Sequence, residues 1–251
     1  MRSEPLTGPA GSARTAVVWE VLSAVLAEAD PSGAGLHVVD AGGGTGGFAV
    51  PLAAAGHRVT VVDPSPDSLA ALQRRVAEHG LGDRVAAVQG DLTELPGLVE
   101  PGSVDLLLCH SVLELVDDPA EALAGAVRLL RPGGRLSLLA ANRAAAVFAR
   151  ALAGHPEEAA RALTDPAGRW GPADGTRRRF TGEALAALVT GAGLVVEQLH
   201  GVRVVSDLVP SAVLDTEPGA AAALLALERA LSDRAPFRDL ATSLHLLAVL
   251  R

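Results

Sequence analysis

Residues 38–47 read Val-Val-Asp-Ala-Gly-Gly-Gly-Thr-Gly-Gly, and this stretch decides the fold. The apolar run around Val38 and Val39 predicts a buried strand, and the apolar pattern that resumes at Phe48 predicts a helix. The glycines between them allow positive φ angles and a close approach of the backbone to a ligand. The start of the helix adds free N–H groups and the positive end of a dipole. The stretch therefore predicts a turn that holds a nucleotide-like cofactor at the carboxyl edge of a parallel sheet.

The composition limits the classes of protein to which the chain can belong. Its 251 residues, 49% of them hydrophobic, can bury one sizeable core. The net charge of −8 argues against a strongly basic surface, so we expect no DNA partner. The single cysteine, Cys109, cannot form an internal disulfide, which favours a reducing, cytoplasmic location. We find no pattern typical of a secretory leader and no uncharged apolar run of about 18 residues, so we expect neither a leader nor a membrane span.

Apolar strands alternate with helical patterns along most of the chain, which predicts an α/β fold with a parallel sheet covered on both faces. The predicted strands are 36–41, 58–63, 85–88, 104–109, 135–140, 194–199 and 243–250. The predicted helices are 14–29, 46–55, 66–79, 119–130, 142–163, 182–191 and 218–232, with a loop over 164–179. We expect a flexible arm over 1–12 and one domain over 13–251. Its cofactor half covers about 13–141 and its substrate-side elaboration about 142–217.

Asp40 separates two kinds of cofactor. Gly42, Gly44 and Gly47 satisfy the dinucleotide pattern G-x-G-x-x-G, which leaves a nicotinamide-dependent oxidoreductase as an alternative, although the chain has no tyrosine to donate a proton. A carboxylate directly before the glycines repels a pyrophosphate but suits a cationic amino or sulfonium group. The pattern Asp40-x-Gly42-x-Gly44-x-Gly46 resembles the first motif of the class I methyltransferases. That resemblance implies S-adenosylmethionine as cofactor and a Rossmann-like, mostly parallel seven-stranded sheet with an antiparallel last strand.

Acidic and polar residues follow the next strands at the same predicted edge. Asp63 ends the second strand, 23 residues after Asp40, where a carboxylate can accept both hydroxyl hydrogens of a ribose. Asp91 and Leu92 follow the third strand, where Asp91 could accept from the amino group of an adenine and Leu92 could cover its ring. His110 leaves the fourth strand and could contact the cofactor or line the site of methyl transfer.

Several short segments outside the glycine turn carry a narrower resemblance. They are residues 110–114, 118–119, 129–134, Asn142, 201–204, 227–228, 236–237 and His245. Together they resemble the tRNA carboxymethoxyuridine methyltransferases, which methylate the carboxylate of a modified wobble uridine, over about residues 14–251. The resemblance implies cofactor contacts at Arg14, Gly42, Gly43, Asp63, Asp91, Leu92 and His110. Thr242-Ser243 replace an arginine-tyrosine pair of that family, and Arg177-Arg178-Arg179 replace a lysine-rich loop, so a small-molecule acceptor stays open beside tRNA.

The chemistry of the acceptor decides which residues are needed. Methyl transfer from a sulfonium is an in-line displacement, and a carboxylate is already ionised at neutral pH and needs no general base. Arg203 is the candidate to hold such a carboxylate, with help from arginines 177–179. A hydroxyl or amine acceptor would require a base, for which His110, His200 and His245 are candidates. We assign no metal ligands. A binding module that keeps the fold without catalysis is the third alternative.

Overall fold

The computed structural model describes residues 15–251, so the predicted arm and Arg14 lie outside the described residues. The strands are β1 His37–Ala41, β2 Arg58–Asp63, β3 Val85–Gln89, β4 Val104–His110, β5 Leu130–Ala141, β6 Leu194–Val202 and β7 Ser243–Leu250. The helices are α1 Ala16–Ala29, α2 Ala49–Ala54, α3 Pro66–Glu78, α4 Leu95–Leu98, α5 Pro119–Val127, α6 Arg143–Leu152, α7 Pro156–Thr164, α8 Gly182–Gly191, α9 Ser211–Thr216, α10 Ala220–Leu231 and α11 Phe237–Leu240.

The seven strands form one sheet in the order β3-β2-β1-β4-β5-β7-β6. Strands β1 to β5 pair in parallel, whereas β7 lies antiparallel between β5 and β6. The strand order reverses between β1 and β4, where open α/β sheets bind their ligands. The predicted α/β fold and the antiparallel last strand are confirmed. Because β7 runs backwards, its first residue lies at the edge where β5 and β6 end.

Alternation along the strands builds a core on each face of the sheet. In β4, Leu106 and Leu108 pack on one face with α1, α2 and α3, and Leu107 and Cys109 pack on the other with α5 and α8. Side-chain caps fix the starts of α3, α5, α6 and α8. Ser65 accepts a hydrogen bond from the Ser68 backbone N–H at 3.2 Å at the start of α3.

The helix predicted over 142–163 is wrong, because the chain breaks into α6 and α7. Gly154 adopts a φ of +83° directly after α6, and Pro156 supplies the first residue of α7. The predicted loop over 164–179 carries no helix beyond Thr164, the last residue of α7, and the short helices α4, α9 and α11 were not expected. The second helix begins at Ala49 rather than at 46, because the turn continues with Gly46 at a φ of +80°. None of the helices within residues 15–251 is long and apolar enough to cross a membrane.

Candidate active site

Two cavities open along the carboxyl edge of the sheet. The first cavity, of 840 Å³, lies over the ends of β1 to β4 and is lined in part by Gly42, Asp63, Leu92 and Val112. The second cavity, of 640 Å³, lies over the ends of β5 and β6 and the start of β7, against α6 and α11. Both volumes lie in the range of sites for small ligands and cofactors.

The glycine turn needs glycine for two different reasons. Gly42 adopts a φ of +70°, and a Cβ on it would overlap the Val112 side chain. Gly43 lies against the Asp40 side chain, so that a Cβ there would come within 2.5 Å of the Asp40 carboxyl carbon. The turn therefore forms a smooth backbone wall at the first cavity, as the close approach of a cofactor requires.

Asp40 is a buried carboxylate without a described partner. Its side chain lies behind the glycine turn, the residue is 3% exposed, and its Oδ2 accepts no hydrogen bond from residues 15–251. Burial, and secondly the neighbouring Asp63 carboxylate, raise the pKa of Asp40 to about 7. Such a group is stabilised by a cation, and the amino or sulfonium group of S-adenosylmethionine would supply one. The residues present thus fit the expected cofactor.

Two strand-end acids face the first cavity. The Asp63 carboxylate accepts hydrogen bonds from the N–H groups of Gly44 and Ser65, both at 2.9 Å, and keeps further lone pairs for a diol. Asp91 accepts hydrogen bonds from the Thr93 hydroxyl at 2.6 Å and the Thr93 N–H at 2.8 Å, and the bond from the Thr93 hydroxyl is the main reason that the pKa of Asp91 is lowered. Leu92 beside it is 2% exposed and offers apolar cover for a base.

Arg203 lies in the second cavity with its backbone in a strained conformation. Its Nη2 donates to the Ser243 hydroxyl at 3.3 Å, its Nη1 lies 3.5 Å from Asp207 Oδ2, and its side chain is 31% exposed. Arg203 and Ser111 are the two non-glycine residues within 15–251 with positive φ, at +60° and +58°. One lines each cavity, and such strain concentrates at functional sites.

Glu228 of α10 holds the turn that presents Arg203. The residue is fully buried, and its carboxylate accepts the N–H groups of Val204, Val205 and Ser206 at 2.9, 2.8 and 2.6 Å. Three N–H groups that converge on one point form a site for an anion, and the Glu228 carboxylate occupies that site. It satisfies the backbone N–H groups of the turn as a capping side chain satisfies those of a helix. Sequence reasoning assigned Glu228 no role. An acid four residues after Leu224 on an otherwise apolar helix face was the available signal.

Arginines 177–179 mostly hold protein groups in this structure. Arg177 and Arg178 donate to the carbonyls of Leu115 and Val116, each at 2.8 Å. Arg179 lines the second cavity but forms two hydrogen bonds with Asp174, at 2.6 and 3.0 Å. The observed contacts of these three arginines are therefore structural. Arg203 fits the predicted role of holding a carboxylate in the second cavity better than they do.

The candidate histidines lie on three strands of the sheet: His110 on β4, His200 on β6 and His245 on β7. His110 Nε2 and His245 Nε2 each lie 2.8 Å from the Ser137 hydroxyl, and the His200 ring stacks on His245. Burial lowers the pKa of His110 to about 4 and the pKa of His245 well below its usual range. Neither side chain lines the first or the second cavity. Both rings are therefore neutral at physiological pH and poorly placed to accept a proton from an acceptor.

Two further residues, which were not assigned roles, connect segments that border the cavities. Glu114 is 6% exposed, and its Oε1 accepts the Ala141 N–H at 2.7 Å, which ties the loop after β4 to the end of β5. Asn142 caps α6 by accepting the Ala144 N–H at 3.1 Å, and its Nδ2 donates to the Asp239 and Ala241 carbonyls at 2.9 and 2.8 Å. An asparagine before a helical pattern is a capping signal, whereas nothing in the sequence indicates the Glu114 contact.

Comparison with known proteins gives a consistent result. A family model described as a methyltransferase domain matches residues 39–138. The tRNA 5-carboxymethoxyuridine methyltransferase of Escherichia coli (strain K12) is 37% identical over 132 residues, which are 53% of this chain and 49% of that protein. The match thus spans about half the length of this relative.

Two other matches extend over more of the chain. The ubiquinone biosynthesis O-methyltransferase of Xanthomonas axonopodis pv. citri (strain 306) is 34% identical over 183 residues, which are 72% of this chain and 70% of that protein. The crystal structure of an S-adenosylmethionine dependent methyltransferase from Mesorhizobium loti matches with a TM-score of 0.61 at 18% identity, covering 96% of this chain and all of that one. At that identity the structural match supports the fold.

Proposed function

The chain belongs to the class I S-adenosylmethionine-dependent methyltransferases, and we propose that it transfers a methyl group to the carboxylate of a small organic acid held in the second cavity. Family membership disfavours the nicotinamide-dependent oxidoreductase. We further propose that the cofactor half ends near residue 141 and that the substrate side begins there, since the lining of the second cavity starts at Ala141.

The first cavity is the proposed cofactor site. S-adenosylmethionine, when bound, supplies a methyl group attached to a positively charged sulfur. Asp63 would bind the ribose hydroxyls, and Asp91 with Leu92 would contact the adenine. Asp40 lies behind the glycine turn rather than in the lining of the cavity, and its buried charge would stabilise a cationic group on the other side of that turn. Where the cofactor lies against the glycine turn, the backbone would exclude water. Each of these electrostatic contacts would then be stronger than in water.

One observation carries the choice of acceptor: Arg203 lies in an otherwise largely apolar cavity that offers no histidine. The charged side chains from residues 15–251 that line it are Arg179, Arg203 and Asp207. The described contacts of Arg203 use at most two of its five N–H donors, so a planar carboxylate can still be bound. An ionised acceptor also agrees with the lowered pKa values of His110 and His245, which leave both rings neutral.

The reaction needs no proton transfer in this scheme. A carboxylate oxygen forms the new O–CH₃ bond as the bond between carbon and sulfur breaks, and the electron pair of that bond remains on sulfur. The protein's contribution is to align the oxygen, fix its direction through Arg203 and remove water from the cavity.

The test is a methyl-transfer assay with an isotopically labelled methyl donor and matched sets of carboxylic acids, alcohols and amines. Methyl esters release methanol in mild alkali, whereas methyl ethers and N-methyl products do not. We expect label in the alkali-labile fraction, a large loss in Arg203→Gln, and unchanged activity in Arg229→Gln, since Arg229 forms an exposed ion pair with Glu20. Alkali-stable products that form equally well in Arg203→Gln would refute carboxylate methylation.

A modified tRNA is the second candidate acceptor, favoured by the 37% identity to a tRNA 5-carboxymethoxyuridine methyltransferase. Its test is the same assay with bulk tRNA, followed by nuclease digestion and chromatography of the nucleosides. Label in a nucleoside, and none in the acid series, would replace the small acid by tRNA.

A further inference from the structure

We propose that the acceptor is an amphiphilic acid whose hydrocarbon chain lies in a groove at the mouth of the second cavity. We call this the tail groove and define it by five side chains: Phe148, Leu152, Leu208, Phe237 and Leu240. The inference rests on the proposed function, because it extends from the carboxylate held at Arg203.

The tail groove gathers exposed apolar side chains from three separate segments. Leu152 is 79% exposed, Leu208 70% and Phe148 54%, and the two α11 residues are less exposed. Half of the ten large hydrophobic side chains that are exposed within residues 15–251 line this one cavity. Scattered apolar residues are normal on a surface, but a contiguous apolar patch indicates a binding site.

Helix α6 is built to present this patch. No residue of α6 is buried, yet five of its side chains line the cavity: Ala145, Ala146, Phe148, Ala149 and Leu152. Its polar face is attached elsewhere, because the Arg150 guanidinium lies 4.4 Å from the centre of the Trp170 ring and pairs with Glu158 of α7. The apolar face is therefore left for something that enters the cavity, and burial of that face would be favourable.

The charge distribution selects the occupant. Polar groups lie at the inner end, at the sheet edge, where Arg203, Thr242 and Ser243 line the cavity, and the side chains of the tail groove are all apolar. A ligand with one anionic head and an uncharged chain complements this order. A polynucleotide, which binds chiefly through its many phosphates, would meet no basic side chain in the tail groove.

The experiment measures binding without turnover. Saturated straight-chain carboxylates of four to twelve carbons, below their micelle concentrations, are titrated into the full chain saturated with S-adenosylhomocysteine. We expect the Kd to fall about 2- to 4-fold per added methylene until the groove is full, because each buried methylene contributes up to about 0.8 kcal/mol. The kcat/KM for ester formation should rise in parallel.

Leu152→Glu and Leu163→Glu form the matched pair of variants. Both residues are exposed leucines on neighbouring helices, but Leu163 does not line the cavity. We expect Leu152→Glu to abolish the dependence on chain length and Leu163→Glu to retain it. Affinity that is independent of chain length, or an unchanged dependence in Leu152→Glu, would overturn the tail groove. The patch could instead serve in self-association or in binding to neutral phosphatidylcholine vesicles. If Leu152→Glu abolishes either of these and leaves the dependence on chain length intact, the tail groove is also overturned.

The tail groove and the carboxylate proposal fail in different ways. If short acids are methylated in an Arg203-dependent manner but longer chains bind no better, the function stands and the groove falls. If alcohols of equal length bind as tightly as the acids and no ester forms, the groove stands as an apolar site and carboxylate methylation falls.

Discussion

Replacement of Asp40 by asparagine should stabilise the cofactor-free protein while it weakens cofactor binding. The carboxylate is buried, and its pKa rises from an ordinary 3.8 to about 7. Because the folded state holds this proton more tightly than the unfolded state, Asp40 costs stability as the pH rises from about 4 to about 7, and the full cost remains above pH 7. The interval between the two values corresponds to at most about 4 kcal/mol.

Asparagine keeps the shape of the side chain and cannot ionise. Its amide leaves an unpaired buried donor, which costs about 1–3 kcal/mol, so we expect a net gain of about 1–3 kcal/mol at pH 8 and little gain at pH 5. Urea unfolding at both pH values measures this difference. Asp83→Asn, in an exposed turn, is the matched control and should change the free energy of unfolding by less than about 0.5 kcal/mol.

The same substitution should weaken S-adenosylmethionine binding about 10- to 100-fold at pH 8, because a charge-assisted contact contributes about 1.5–3 kcal/mol. Calorimetry in buffers of different ionisation enthalpy should show release of protons when the native protein binds the cofactor near pH 7, because burial raises the pKa of Asp40 in the cofactor-free protein. A larger loss for S-adenosylmethionine than for S-adenosylhomocysteine would identify the sulfonium as the group near Asp40. An Asp40→Asn protein that is less stable at pH 8, or that binds the cofactor as tightly, would refute the reasoning.

Three further substitutions test the rest of the site. Gly42→Ala should abolish cofactor binding and destabilise the fold by about 1–3 kcal/mol, because its Cβ would overlap Val112 at a positive φ; Gly47→Ala, which meets open space, should do neither, and equal calorimetric affinities in the two variants would contradict this. Glu228→Gln should raise the KM of the acceptor more than that of the cofactor, because three N–H groups near Arg203 lose an ionised partner; steady-state kinetics that show equal rises would argue for a merely structural role. Ser137→Ala should destabilise the fold by about 1–3 kcal/mol, because it leaves ring nitrogens of His110 and His245 unpaired. The rate of methyl transfer at saturating cofactor should stay constant from pH 6 to 8 in this variant. A rate that rises steeply with pH in the native protein, and no longer does so in the variant, would identify the histidines as bases.

Several of the residues expected at the cofactor line one cavity, and their meeting could be predicted because its determinants are short and local. The turn after β1 is contiguous in sequence, and Asp63 and Asp91 follow the next two strands, whose carboxyl ends must meet at one edge of a parallel sheet. The periodicity of the chain also identified all seven strands. The raised pKa of Asp40 could not be predicted, because it depends on how completely the turn and Asp63 enclose that carboxylate.

Less of the second cavity than Arg203 could be predicted, because its parts come from distant segments. Asn142, Arg203 and Thr242 line one cavity only after β7 inserts between β5 and β6. The position of the candidate histidines also depends on the assembled sheet: His110 of β4 and His245 of β7 lie on either side of β5, and both contact Ser137 of that strand. Histidine often acts as a general base, which is why the sequence indicated a catalytic role. In the structure, burial keeps both rings neutral and each lies within hydrogen-bond distance of the Ser137 hydroxyl.

The antiparallel strand has a consequence for how the acceptor site can vary. A parallel strand at that place would bring only its carboxyl end to the edge, but β7 begins there, so the α11 segment that precedes it also borders the second cavity. The second cavity, the proposed acceptor site, is thus bordered by α6, the turn after β6 and α11, none of which lines the first cavity. We expect substitutions in these three segments to change the acceptor while the proposed cofactor contacts at the glycine turn, Asp40 and Asp63 stay in place. The relatives have names that describe different acceptors on one cofactor-binding fold. Such variation is expected if the acceptor and the cofactor are bound by separate segments.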